Sequence, residues 1–317
     1  MTRLAIGVDL GGTQVRAALV EEGGAIVARA ETDTDAMAGP QAVLAQIEAL
    51  AHGLAGTVDP ARIVGVGVST PGPVDTLTGV ASDIPTLAGF AGFPLLAELR
   101  KRFGQPVSLE NDGIAAAIGE WQFGAGQSLD HIVYVTVSTG IGGGVISDKR
   151  VVRGRKGMAG HVGHMVLEPC GAACPCGGLG CFEAYASGTA LARRGRAAAA
   201  AHPGSFSGMA CEAVDGRAIF AADRAGDPVA VRLVDEQAEW LGRGFVNLLH
   251  VYSPDIIVMG GGIAQEFDRL RPGIEAYIAQ HAMPAFRDVP VLRAALGANS
   301  GLVGSAALAF LDRSQGK

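Results

Sequence analysis

Runs and alternations of apolar residues divide the chain into strands and amphipathic helices. Two apolar segments that frame a glycine turn predict a β-hairpin, and this design occurs once in each half of the chain, followed each time by two single strands. The segments are 5–10 with 14–20, 63–72 and 106–112 in the first half, and 132–146, 255–263 and 289–296 in the second. The repeated order predicts an internal duplication.

Helical periodicity fills the segments between these strands. The predicted helices are 41–55, 93–103, 113–123, 182–202, 227–252, 266–282 and 300–312. Strands that alternate with helices favour mostly parallel pairing outside the hairpins. We therefore expect an α/β fold of two duplicated lobes with an interlobe cleft. The last helix is rich in small residues, and its spacing does not indicate which lobe it packs on.

Composition and charge narrow the class of protein. Of 317 residues, 49% are hydrophobic and 18% charged, which is typical of a folded globular chain. The net charge is −6, and the sequence has no basic stripe of the kind that would favour nucleic-acid binding. No apolar run reaches the ~18 residues of a membrane span, and the first residues lack a signal peptide pattern. We expect a cytoplasmic protein, in which clustered cysteines are more often metal ligands than disulfides.

The 47 glycines are clustered at turns rather than spread through linkers. In DLGGT (9–13), Asp9 ends a buried strand and could meet a phosphate-bound magnesium, while backbone N–H groups and Thr13 could meet phosphates. A purely structural hairpin turn would look the same. Two further glycine loops are present, STGIGGG (138–144) and MGGGI (259–263). Together the three loops favour binding of a nucleoside triphosphate over a purely structural role.

A strand that ends in LENDG (109–113) delivers two polar side chains to the start of a helix. Asp112 could simply cap that helix. Alternatively, Asp112 accepts a proton from a substrate hydroxyl while Asn111 holds a neighbouring hydroxyl. Phosphoryl transfer requires a base of this kind within hydrogen-bond reach.

The segment 160–183 (GHVGHMVLEPCGAACPCGGLGCFE) carries a set of metal-binding side chains. His164, Cys174, Cys176 and Cys181 supply the four ligands of a closed tetrahedral zinc site, which predicts a structural rather than a catalytic ion. Cys170 could substitute for one ligand. A metal-bound His164 would leave its second ring nitrogen to meet a substrate hydroxyl, and Glu183 follows the last ligand at a helix start.

Together these motifs resemble the ROK family of sugar kinases and repressors, through DLGGT, TPGPVD (70–75), LEND, VTVSTGIGGGV, AGHVGHM, CPCGGLGCFEAYASG, VMGGG and GLVGSAAL. The resemblance implies an actin-like (ribonuclease H-like) sugar kinase fold that uses ATP, magnesium and a structural zinc ion. It implies a small lobe of residues 1–112 plus about 300–317, to which the last helix returns, and a large lobe of 113–299. Homodimers are frequent in the family.

The resemblance also implies residue roles, with Asp112 as the catalytic base. The implied substrate-binding residues are Gly72, Asn111, Asp112, His161, His164 and Glu183. The implied nucleotide and magnesium residues are Asp9, Gly11, Gly12, Thr13, Thr139, Gly140, Gly261 and Gly262. The implied zinc ligands are His164, Cys174, Cys176 and Cys181.

Three positions depart from the family pattern. At one of them Ile114 replaces the usual asparagine, which removes a hydrogen bond at the helix start and has no expected effect on the chemistry. His161 stands where most family kinases have a glutamate that contacts the sugar, and this form resembles bacterial N-acetylmannosamine kinases. Gln14 follows DLGGT where a lysine is common, so a charge contact to phosphate is missing there.

These observations predict an ATP-dependent hexose kinase that phosphorylates the 6-hydroxyl of an aldohexose, with glucose as the leading candidate substrate. The alternative is N-acetylmannosamine or N-acetylglucosamine as substrate. A sugar-sensing regulator without kinase activity would carry a DNA-binding helix pair before the first hairpin, and only a few residues precede it. A zinc hydrolase is disfavoured by the filled coordination sphere.

Overall fold

The computed structural model describes residues 2–314 and is mixed α/β. The strands are β1 (Leu4–Leu10), β2 (Gln14–Glu21), β3 (Ile26–Asp33), β4 (Ile63–Thr70), β5 (Val74–Asp75), β6 (Val80–Ala81), β7 (Val107–Asn111), β8 (Ile132–Val137), β9 (Ile141–Ser147), β10 (Arg150–Val151), β11 (Ile256–Gly260) and β12 (Val291–Arg293). The α-helices are α1 (Pro40–Ala55), α2 (Leu95–Arg102), α3 (Asp112–Phe123), α4 (Phe182–Ala186), α5 (Gly188–Ala201), α6 (Gly216–Arg224), α7 (Pro228–Tyr252), α8 (Phe267–His281) and α9 (Ser300–Ser314).

The predicted repeat is present in two five-stranded sheets. The first has the order β3-β2-β1-β4-β7 and the second β10-β9-β8-β11-β12. In the first, β1 pairs antiparallel with β2 and parallel with β4, and β4 pairs parallel with β7. In the second, β11 lies parallel between β8 and β12. Each sheet therefore combines a hairpin with two parallel strands in the same order, as the duplication predicts.

Contacts group the described residues into two compact units, 2–130 with 144–160 and 295–314, and 131–143 with 161–294. This grouping differs from the expected lobes because α3 and the segment 144–160 join the first unit. The reason for α3 is its close packing on α9, where a side chain at Gly119 or Gly304 would collide with the other helix's backbone. The division into a small and a large lobe stays a prediction.

The burial of each helix and strand explains whether its sequence pattern predicted it. Every residue of β4 and β11 is buried, so both read as continuous apolar runs. β3 lies at the edge of its sheet with only partly buried and exposed positions, and its weak pattern was missed. The amphipathic helix α6 was also missed.

The predicted helix 182–202 is in fact two helices, α4 and α5. Ser187 between them has extended backbone angles, and its hydroxyl accepts a hydrogen bond from the Ala190 N–H at 3.1 Å. An N-cap of this kind starts a new helix.

The predicted strand 289–296 is shorter in the structure, where β12 spans Val291–Arg293. The N–H groups of Ala295 and Leu296 bond to the side chain of Glu120 instead of a neighbouring strand.

Helix α9 packs against β1, β4 and α3 in the first unit. Glycines in the strands allow this approach, since a Cβ at Gly7 or Gly67 would collide with α9 carbonyls of Leu302 or Ser305. The small residues of α9 are therefore explained by close packing on both sides.

Glu120 is a fully buried acid that ties α3 to the segment before α9. Its carboxyl oxygens accept hydrogen bonds from the N–H groups of Ala125 (2.9 Å), Ala295 (3.0 Å) and Leu296 (2.9 Å), and from the Ser300 hydroxyl (2.7 Å). Ser300 is the first residue of α9, so this side chain fixes where α9 begins.

We expect Glu120→Ala to lower the free energy of unfolding by roughly 3 kcal/mol or more, because it leaves several buried donors without an acceptor. Thermal unfolding followed by circular dichroism measures the change, which for a chain of this length corresponds to a fall of roughly 4–5 °C or more in Tm. The matched control is Glu275→Ala on α8, which removes an exposed acid paired with Arg271 and should leave Tm nearly unchanged. Equal Tm values for the two variants would contradict the assignment.

Candidate functional site

In the first unit, the sequence-predicted polar residues meet at one edge of the first sheet. The parallel strands β1, β4 and β7 place Asp9 opposite Ser69, and Ser69 opposite Glu110, one residue before Asn111. The carboxyl ends of parallel strands are the usual location of ligand sites in α/β proteins. Gly72 follows β4 at the same edge.

The turn between β1 and β2 is a firmly held loop. The Gly11 N–H donates to the Gln14 carbonyl at 2.9 Å, and the Thr34 hydroxyl donates to the Gly11 carbonyl at 2.8 Å. The Thr34 N–H donates to the Thr13 carbonyl at 2.8 Å. At Gly12 a Cβ would lie 2.5 Å from the Cβ of Thr86, so only glycine fits there.

Asp9 is enclosed by groups that stabilise its negative charge. The Ser69 hydroxyl donates to Oδ1 at 2.8 Å, and the Arg16 guanidinium forms an ion pair with Oδ2. Ser69 and Arg16 are its direct neighbours on β4 and β2. The sequence motifs predicted neither residue. The available signal was a charged residue, Arg16, within a strand whose other residues are mostly apolar.

Asn111, rather than Asp112, is the N-cap of α3. Its side-chain oxygen accepts hydrogen bonds from the N–H groups of Gly113 (3.0 Å) and Ile114 (3.4 Å). The amide nitrogen of Asn111 is then the group that can donate to a ligand. Because Asn111 caps α3, helix capping does not explain the presence of Asp112.

Asp112 is exposed by surface area, yet protein atoms crowd the space around its carboxyl group. This desolvation, together with repulsion from Asp9, raises the pKa of Asp112 to about 6. Local hydrogen bonds oppose this rise in the pKa, from the Gly113 N–H at 2.8 Å and from the side chain of Asn111. A carboxyl group with a raised pKa is suited to accept a proton near neutral pH.

In the second unit, one imidazole and three thiols converge. The ligand atoms of His164, Cys174, Cys176 and Cys181 all lie within 4.8 Å of one another. The Cys174 Sγ lies 3.7 Å from His164 Nδ1, and the Cys176 and Cys181 sulfurs are also 3.7 Å apart. A zinc tetrahedron with Zn–S bonds of ~2.3 Å has edges of ~3.8 Å, so this donor set fits the ion.

The cluster orients two predicted sugar-binding side chains. Because Nδ1 of His164 faces the sulfurs, its Nε2 faces away from them. Glu183, in the first turn of α4, accepts a hydrogen bond from the Ile141 N–H at 2.8 Å, and its other oxygen lies 3.8 Å from the Cys174 sulfur. His161 lies close by, with ring centroids 6.2 Å from His164. Desolvation and then repulsion from His164 lower the pKa of His161.

The two predicted nucleotide loops of the second unit adjoin each other. Gly261 has φ +86°, and a Cβ there would lie 2.5 Å from the Val137 carbonyl oxygen, directly before the turn that holds Thr139 and Gly140. A Cβ at Gly140 would lie 2.5 Å from the Glu183 carboxyl group. A Cβ at Gly262 would have room, with the Ser138 hydroxyl as its nearest neighbour at 3.7 Å.

The N-terminus of α5 also meets this turn, a contact that the sequence motifs do not predict. The Gly188 N–H donates to the Ser138 carbonyl at 2.7 Å, and the Thr189 hydroxyl donates to the Thr139 carbonyl at 2.8 Å. Ser187 followed by glycine and threonine was the available signal of a helix start.

The fold and these two groups of residues define a two-lobe, actin-like sugar kinase architecture. The ROK family model matches residues 5–311, and the chain belongs to the ROK family. Both the resemblance and the fold class are thereby confirmed.

Named relatives agree with this assignment. The chain is 35% identical over 307 residues to a glucokinase of Thermotoga maritima, with 96% of each chain covered. It is 36% identical over 311 residues to an N-acetylmannosamine kinase of Escherichia coli, with 98% of each covered. A crystal structure of a ROK glucokinase from Streptomyces griseus in complex with glucose and AMPPNP superposes with a TM-score of 0.83 at 35% identity, covering 97% of this chain and 99% of that one.

Among the helices of residues 2–314, none has both the length and the apolar character that a bilayer span requires.

Proposed function

We propose that the protein is an ATP-dependent hexose kinase that phosphorylates the 6-hydroxyl of an aldohexose, with glucose as the leading substrate. The observation that carries the proposal is Asp112, a carboxyl group with a pKa raised to about 6 at the carboxyl edge of a parallel sheet, beside Asn111. Relatives that are curated glucokinases support the choice of sugar.

Asp112 removes the proton from the sugar 6-hydroxyl as that oxygen attacks the γ-phosphorus. The bond between the γ-phosphorus and the β–γ bridging oxygen breaks in the same step, and ADP leaves. Asn111, whose oxygen is engaged in capping, donates its amide N–H to a neighbouring hydroxyl. His164 Nε2, His161 and Glu183 bind further hydroxyls, and Gly72 lets the sugar approach the backbone. These contacts fix the sugar so that one hydroxyl is presented for reaction.

The glycine loops bind the nucleotide in this proposal. The turn with Gly11, Gly12 and Thr13 and the turn with Thr139 and Gly140 contact phosphates, and the loop with Gly261 and Gly262 lies near the adenosine. The N-terminus of α5 supports the second turn with its positive end. Magnesium held by Asp9 and the phosphates would neutralise charge on the transferred group.

A structural zinc ion bound by His164, Cys174, Cys176 and Cys181 is the second part of the proposal. Its support is the donor set and the spacing of the sulfurs. The ion would hold the loop before α4 and thereby orient His164 and Glu183. A homodimer is a proposal that rests on family resemblance, and light scattering tests it. A cytoplasmic location is a proposal that rests on the sequence pattern, and cell fractionation tests it.

N-acetylmannosamine is the second candidate substrate, favoured by His161. An ADP-release assay with glucose, mannose, fructose, N-acetylglucosamine and N-acetylmannosamine decides between the candidates. Turnover on glucose supports the leading proposal, and turnover on N-acetylmannosamine alone replaces glucose with that sugar. No turnover on any sugar, with folded protein, contradicts the kinase proposal.

The proposed base predicts an acid limb in the pH profile. Asp112 must be deprotonated to act, so kcat/KM for the sugar should fall as pH drops through about 6. Steady-state kinetics at constant ionic strength between roughly pH 5 and pH 8 measure the limb. It should be absent from the residual activity of Asp112→Asn, which separates it from titration of the histidines. A limb near the ordinary aspartate pKa would contradict the raised value.

A further inference from the structure

The position of Arg16 in the first unit is not used by the function proposed above. Its guanidinium forms an ion pair with Asp9 Oδ2 and also donates to the Ala298 carbonyl at 2.9 Å. The two side chains are 30% and 13% exposed, so the pair is accessible to a ligand that approaches the edge of the sheet. A partly exposed guanidinium beside a phosphate-binding turn is available for a second partner.

Arg16 and Gln14 extend from the same face of β2. They are two residues apart on one strand, so their side chains are parallel and about 7 Å apart at the backbone. Both line the same cavity of about 260 Å³. At position 14 the family pattern commonly has lysine. In this chain the positive charge is carried instead by Arg16, two residues further along β2 and on the same face of the strand.

The register of the sheet sets Arg16 in a row of polar residues. Across the strands, Glu31 on β3, Arg16 on β2, Asp9 on β1 and Ser69 on β4 are direct neighbours. The first turn of α9 completes the surroundings of Asp9, because a Cβ at Gly301 would lie 3.4 Å from Oδ2. Arg16 is therefore the cation beside the proposed magnesium and phosphate ligand Asp9.

We propose that Arg16 supplies the phosphate-binding charge that Gln14 lacks, and that it exchanges its bond to Asp9 for one to a phosphate oxygen of ATP when Asp9 meets the nucleotide-bound magnesium. The ion pair neutralises Asp9, which lies close enough to repel Asp112. Arg16 thus has one partner before nucleotide binding and another after it. This inference rests on the proposed function, because it concerns the nucleotide of the same reaction.

Isothermal titration calorimetry of Mg·ATP binding without sugar tests the proposal directly. Arg16→Met keeps the aliphatic stem and removes the charge, and it should raise Kd by ~10–100-fold, the effect of one hydrogen bond to a charged group. KM for ATP should rise likewise while KM for the sugar stays close to wild type. Arg29→Met is the matched control, since Arg29 is an exposed arginine on β3 that lines the same cavity. That control should bind Mg·ATP as wild type does.

The double variant Gln14→Lys with Arg16→Met separates phosphate binding from a structural role. Restored Mg·ATP binding supports the proposal, since the new cation lies on the same face of β2. A defect that this lysine does not repair would limit Arg16 to holding Asp9 and overturn the phosphate contact. Unchanged or tighter binding in Arg16→Met would also overturn it.

A second readout follows from the charge of Asp9. Without Arg16, repulsion on Asp112 increases, so the acid limb of kcat/KM should move to higher pH in Arg16→Met but not in Arg29→Met. If the wild-type protein binds Mg·ATP but phosphorylates no sugar, the proposed function fails while the calorimetric test of Arg16 still gives its answer. An unmoved limb in a variant that binds Mg·ATP normally counts against the inference.

Discussion

Replacing Asp112 by asparagine is expected to lower kcat by ~10²–10⁴-fold, because the variant keeps the shape of the side chain but cannot accept a proton. The sugar and Mg·ATP should still bind, since Asn111, the glycine loops and the second-unit ligands are unchanged. A coupled assay of ADP release under saturating substrates measures kcat, and calorimetry measures binding.

The structure offers controls for this variant. Asp268→Asn makes the same chemical change at an exposed position in the first turn of α8, and it should have wild-type kcat. Thermal unfolding of Asp112→Asn should match wild type or exceed it, because the substitution removes a carboxyl group whose ionisation is opposed by desolvation and by Asp9. Near-wild-type kcat in Asp112→Asn would mean that another group takes the proton.

Loss of one cysteine from the cluster is expected to abolish metal binding and most activity. The purified protein should contain about one zinc ion per chain, measured by atomic emission. Cys181→Ser should lose the ion, and kcat/KM for the sugar should fall by ~10²-fold or more, because His164 and Glu183 lose their orientation. The thermal midpoint should fall as well.

Two other cysteines serve as matched controls. Cys170 is exposed in the same loop, and Cys211 lies outside it. Cys170→Ser and Cys211→Ser should keep the zinc ion, the thermal midpoint and the activity. Loss of zinc in Cys170→Ser, or its retention in Cys181→Ser, would require a different ligand set from the one that we propose.

The parts of the fold that sequence patterns predicted are those in which one physical signal dominates. Buried parallel strands such as β4 and β11 are uninterrupted apolar runs, and glycine turns mark both hairpins. The break at Ser187 was not predicted because its N-cap lies inside a longer helical pattern. Edge strand β3 alternates between partly buried and exposed residues, but Ala28, Ala30 and Thr32 occupy most of its partly buried positions, so the hydrophobic contrast that reveals a strand is small.

For the candidate site, short-range motifs were readable and long-range partners were not. The spacing of Cys174, Cys176 and Cys181 predicted a cluster that the structure brings together with His164. The ion pair between Arg16 and Asp9 depends on the register of β1 and β2, and the hydrogen bond from Ser69 depends on the pairing of β1 with β4. Strand register is set by the whole sheet, so these partners are invisible to a local motif.

The packing of α9 against β1 has a consequence for how the chain is made. The face of β1 that carries Ala5 is covered by Leu302, Val303 and Ala306, from the opposite end of the chain. At ribosomal rates the interval between the synthesis of these two segments is roughly 15 to 60 s. Through that interval the nascent first unit exposes an apolar sheet surface, which makes it a natural client of chaperones that bind emerging polypeptides.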